Sequence, residues 1–145
     1  MNKLYELSDL REDILSTTLD LSHDSRFDKS KQALLTEAIY SIDEAAVESL
    51  INRYNCNPNV NVYEQYETRN YGFLHALIEL YYNNYTLRGE SVLRIAEILL
   101  RAGADPNQEG SSSAAPIQRI ESEKAKKFEE LLLKYGARPE GNTLY

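Results

Sequence analysis

With 145 residues, of which 42% are apolar and 27% charged, the chain has the size and composition of one globular domain with a modest core. A net charge of −7 argues against a nucleic-acid backbone as partner, because that affinity comes from clustered Lys and Arg. The one cysteine can form neither an internal disulfide nor a cysteine zinc site, and no apolar run approaches the ~18 residues that a membrane span needs.

The opening MNKLYELSDLRED has no basic n-region and no unbroken apolar h-region, so no secretory signal is expected. Residues 3–21 place Leu4, Leu7, Leu10 and Ile14 near one stripe, which predicts an amphipathic helix. The polar stretch SHDSRFDKS (22–30) reads as a loop, with Asp28 or Ser30 capping the next helix. Helices are then expected near 31–40 and 43–54, burying Leu34, Leu35, Ala38, Ile39, Ile42, Ala46, Val47, Leu50 and Ile51. A long connector, Val60–Tyr71, follows, and a second expansion, Tyr82–Glu90, separates two further helices. After the flexible EGSSSAA, residues 115–135 predict a last helical pair, and the tail GNTLY is expected to fray.

Three helix endings share one chemistry. IAEILLRAGADPN (95–107) aligns without gaps on FEELLLKYGARPE (128–140), which puts Gly136 33 residues after Gly103. VESLINRYNCNPN (47–59) carries Asn55 at the glycine position, 48 residues before Gly103. Glycine, and next asparagine, is tolerated at the positive φ that ends a helix. Asp105, Pro106 and Asn107 then form a turn that bars a return to helix. A glycine-stopped helix at this period resembles the ankyrin repeat, and so do Ala115-Pro116-Ile117-Gln118, at the place where that family opens each unit, and Leu74-His75-Ala76, ten residues upstream of that place. The resemblance implies an all-α ankyrin-repeat solenoid: an N-terminal helical cap (1–30), repeats at 31–59, 60–107 and 108–140, and a tail (141–145). It also assigns structural roles to Gly103, Asp105, Pro106, Asn107, Gly136, Pro116 and His75, the last as a hydrogen-bonding residue at a turn.

Departures from the repeat pattern point to function. Six of the eleven tyrosines fall within 63–85, interleaved with charge. Tyrosine combines contact area with a polar tip and few rotors, which suits binding surfaces. The candidate partner-binding residues are therefore Tyr63, Glu64, Tyr66, Glu67, Arg69, Tyr71, Tyr82, Tyr85 and Arg88, whereas Tyr81, four positions after Leu77, reads as core. Between Gln32 and Thr68 six acidic residues face one basic residue, a solvated face or an attraction for a basic partner. No phosphate-binding glycine loop, CxxC pair or HExxH occurs. The expectation is a non-enzymatic, monomeric, cofactor-free module binding another protein, in its own cytoplasm or delivered into a host's. A toxin-neutralising protein that masks a basic enzyme and a self-associating homodimer are the alternatives.

Overall fold

The computed structural model describes residues 25–64, 67–110 and 114–140. The helix expected over 3–21 and the tail 141–145 lie outside the described residues. Helix α1 (Ser25–Tyr40) is followed by α2 (Glu44–Asn52), then strands β1 (Asn61–Glu64) and β2 (Glu67–Gly72), then α3 (Phe73–Arg101), two helical arms that meet at a kink. Two 3-10 turns, Pro116–Arg119 and Glu123–Ala125, lead into α4 (Lys126–Lys134).

Apolar residues at helical spacing build one continuous core. Leu35 and Ile39 of α1, Val47 and Leu50 of α2, Leu74, Leu77, Ile95 and Leu99 of α3, and Phe128 and Leu132 of α4 are all buried in it. Each such side chain contributes about 1.5–3 kcal/mol of transfer free energy. Tyr81 belongs to this core, its ring edge-on to Phe128 with centroids 5.8 Å apart.

The α1–α2 corner turns in three residues. Asp43 N–H donates to the Ala38 carbonyl (2.9 Å) and Ile42 N–H to that of Ile39 (2.9 Å), while Ile42 takes φ 52°. A β-branched residue is strained there. Burial of its side chain and a bond from Arg88 Nη2 to its carbonyl (2.7 Å) offset the cost. Asp43 then caps α2 by accepting from Ala46 N–H.

The Gly103 and Gly136 endings adopt one geometry, and the Asn55 ending is a variant whose closing bond reaches one residue further back. Gly103 and Gly136 each have φ 103° and Asn55 has φ 55°. Beyond each, a small residue turns inward, and the N–H groups of Cys56, Ala104 and Ala137 bond back to the carbonyls of Leu50, Leu99 and Leu132. Asparagines link successive endings. Asn59 donates to the Gly103 carbonyl (2.9 Å) and accepts from Asp105 N–H (2.7 Å), and Asn107 makes the same pair of bonds to Gly136 (3.1 Å) and Arg138 (2.9 Å). Asp105 in turn accepts from Asn107 N–H at 2.8 Å, and Pro106 is half-buried beside it.

Several expectations need correction. The all-α solenoid is overturned by the antiparallel pair β1–β2, with Tyr63 opposite Thr68 and Glu64 opposite Glu67, so the chain is mixed α/β. Valine and aromatic residues in the connector fit a pleated surface: Val62 is fully buried, and Tyr63 N–H donates to Thr36 Oγ1 (3.1 Å), which docks the hairpin on α1. The expected loop at 22–30 is helical from Ser25, since nothing from there to Ser30 is a helix breaker. Within Phe73–Arg101 the backbone leaves helical geometry at Asn84 (φ −123°, ψ 19°) and Arg88 (φ −130°, ψ 18°). Two helical arms therefore meet inside Tyr82–Glu90, where the sequence places the break between two helices; the break is a kink and not an open loop. The first member of the last helical pair shrinks to the single 3-10 turn begun by Pro116. None of the described helices is long and apolar enough to cross a membrane.

A candidate partner-binding cleft

The residue that organises this side of the molecule is His75, only 6% exposed. Its Nδ1 accepts from Gly72 N–H (3.3 Å), so its proton sits on Nε2, which donates to the Ala114 carbonyl (2.9 Å). Gly110 packs flat on the ring, where a Cβ would stand 2.8 Å from Nε2. Burial holds the imidazole below its ordinary pKa; the Ala114 bond works against this, and the Arg119 guanidinium adds to it. His75 is thus a neutral strut joining the end of β2, the start of α3 and the loop before Pro116. Gln118 does the corresponding work in the next segment, accepting from Ala115 N–H through its own Oε1 (2.7 Å).

Above this strut lies an open cleft of ≈ 500 Å³. The end of β2 supplies Asn70 and Tyr71, the first half of α3 supplies Ala76, Ile78, Glu79 and Tyr82, and the 3-10 turn with the residues after it supplies Arg119 and Glu121. Two tyrosines fix its walls. Tyr71 and Tyr40 bring their hydroxyls within 3.4 Å, and the Tyr82 hydroxyl accepts from Glu121 N–H at 2.8 Å. Polar groups and aromatic surface therefore share one concavity, the usual make-up of a recognition site.

The sequence-derived candidates divide between three places. Tyr71 and Tyr82 meet in the cleft, 11 residues apart in sequence. Tyr63, Glu64, Glu67 and Arg69 lie on the hairpin beside it, with Tyr63 and Arg69 half-buried. Tyr66 falls outside the described residues, and Tyr85 is placed only as part of the α3 backbone. Arg88 belongs elsewhere, tying α3 to the α1–α2 corner. Sequence reasoning missed Asn70, Glu79, Arg119 and Glu121. The signal for Glu79 was its place four residues after His75, on the same helical stripe.

Among the described residues the one histidine and the one cysteine are both sequestered. Cys56 is buried, and desolvation pushes its thiol up to about 11 despite the opposing charge of Lys31. Comparison with protein-family models, with curated proteins and with solved structures found no match.

Proposed function

We propose that the chain is a non-enzymatic protein-binding module akin to the ankyrin repeat, and that it takes its partner in the Tyr71–Tyr82 cleft and along the adjoining hairpin. The observation that carries this reading is the cleft itself, where aromatic and charged side chains from three separated segments converge on one open concavity. The recurrent corners at Asn55, Gly103 and Gly136, laced by Asn59 and Asn107, support the likeness to ankyrin units. His75 engaged at both nitrogens and the high pKa of Cys56 favour binding over catalysis. Capture of partners on the immobilised chain, followed by titration of the purified partner against wild type and Asn70→Ala/Tyr71→Ala, tests the site. Affinity should fall at least about tenfold. Unchanged affinity in a variant of wild-type melting temperature rejects the cleft.

A further inference from the structure

Two of the three corners are spanned by an asparagine side chain from the corner before. Asn59 donates from Nδ2 to the Gly103 carbonyl (2.9 Å) and accepts at Oδ1 from Asp105 N–H (2.7 Å). Asn107 does the same to Gly136 (3.1 Å) and Arg138 (2.9 Å). Each carboxamide thus joins the carbonyl of the positive-φ residue to the N–H two residues on. The first corner offers the same pair, the Asn55 carbonyl and the Asn57 N–H. Both residues are exposed, and among the described residues no hydrogen bond reaches either group. The helix side of this corner differs, its closing bond reaching one residue further back, but the turn side does not. Asn59 N–H donates to Asn57 Oδ1 at 2.8 Å, as Asn107 N–H does to Asp105 Oδ1 at 2.8 Å, and Cys56 turns inward like Ala104 and Ala137. A second feature marks the same place. Asn55 and Asn57 border a cavity of ≈ 240 Å³, lined also by buried Leu35 and Cys56 and half-buried Val60. It shares no residue with the Tyr71–Tyr82 cleft.

We propose that the Asn55–Asn57 corner is a second docking site whose ligand is a side-chain carboxamide, an asparagine carried on a turn of a partner protein. The partner's asparagine follows a proline, as in Pro58-Asn59 and Pro106-Asn107. A carboxamide holds a donor and an acceptor side by side in one plane, whereas a carboxylate only accepts and an ammonium or guanidinium only donates. The molecule itself twice selects this group for this pair of backbone atoms. An apolar side chain next to the asparagine has the cavity to enter, against Leu35 and Val60. A second copy stacked end to end does not fit. At the last corner the place of Asn59 and Asn107 is held by Glu140, whose carboxylate matches the Asn57 N–H but opposes the Asn55 carbonyl.

The test is a titration of the isotope-labelled full chain, followed by NMR, with a peptide of the sequence Gly103–Asn107. The peptide is acetylated and closed by an N-methylamide, so that its asparagine is its one primary carboxamide. Two neutral hydrogen bonds set a dissociation constant on the order of 10 mM, which a whole partner surface would tighten. Amide shifts should saturate at Asn57, which donates, and at Cys56, whose N–H shares a peptide unit with the Asn55 carbonyl. They should stay small at Asp105 and Arg138, whose N–H groups are already engaged. The same peptide with Asn107→Asp should bind at least about fivefold more weakly, because its carboxylate faces the Asn55 carbonyl with no donor. Equal affinity for the two peptides overturns the proposal. So do shifts at Asp105 and Arg138 as large as those at Asn57, or no saturable shift up to about five times the expected constant.

Discussion

The outer helices and the inner face share one apolar core and differ in what they do with polar groups. Outside, long flexible side chains form exposed pairs between neighbours, Arg94 to Glu44 and Lys127 to Glu90. Inside, short or rigid groups are locked to backbone: His75 to Gly72 and Ala114, Gln118 to Ala115, Thr36 to Tyr63. Backbone-locked polar groups define a loop's position, whereas exposed ion pairs add little rigidity because both partners pay side-chain entropy. The difference teaches that the inner side is the preorganised one. Its loops are held in place before any ligand arrives, which lowers the cost of binding.

The largest effect should come from the core that both sides share. Leu99 is fully buried in the outer half of α3. Leu99→Ala should destabilise by about 2–5 kcal/mol, by lost transfer energy plus a residual cavity, read as a lower urea midpoint at unchanged slope. An effect below about 1 kcal/mol would show that α3 is not integral to the core.

The corners come next. Nothing lies within 4 Å of a Cβ built on Gly103 or Gly136, so Gly→Ala at either meets no steric clash and costs only the backbone penalty of positive φ, about 1–2 kcal/mol. Asn55→Gly, at φ 55°, should leave stability unchanged or raise it slightly. Matching losses at Gly103 and Gly136 would mark the two corners as energetically equivalent, and a loss at one alone would divide them.

How far all this was legible follows from whether the chemistry is local. Helix stops are local: Gly103 and Gly136 announce positive φ, and the Pro106 turn follows from its neighbours. Core positions follow from helical spacing, which is why Leu34 to Ile51 could be named without a structure. The hairpin is hidden in VNVYEQYETRNY because its tyrosines read equally as contact chemistry and as strand formers; in the structure Val62 is fully buried between half-buried Asn61 and Tyr63. The break between two helices within 82–90 is legible, and the backbone kinks there at Asn84 and Arg88; with no proline and one glycine, it takes the form of a kink and not an open loop. The cleft was half legible. Tyr71 and Tyr82 stood out by composition, but Arg119 and Glu121 come near them only when the third segment packs on the second, which no local pattern encodes.

The inner strut should also confer a pH dependence. His75 is neutral in the fold with its pKa below the ordinary value of about 6.5. As pH falls below that value the unfolded chain takes up a proton that the folded chain resists, so stability is fully present above it and is lost as pH drops through the folded pKa. His75→Gln, which can keep a donor and an acceptor as Gln118 does, should flatten urea midpoints across that window. A slope surviving in the variant would assign the effect to other groups.

The smallest effects lie in the carboxylates. The Tyr135 hydroxyl (3.0 Å) and then Lys134 and Arg101 hold Glu97 below the usual carboxylate pKa, against some desolvation. Its contribution is present above the unfolded value and is lost as pH falls through the folded one. Glu97→Gln should therefore lower the melting temperature slightly at neutral pH, and the difference should vanish in acid. Glu79→Gln should do the opposite. With no salt bridge to lose among the described residues and one negative charge fewer on an acidic chain, it should leave the melting temperature unchanged or raise it, most visibly at low salt, where screening is weakest. An acid whose removal does not weaken the fold is not kept in place by stability. A destabilised Glu79→Gln would mean that this carboxylate serves the fold as Glu97 does.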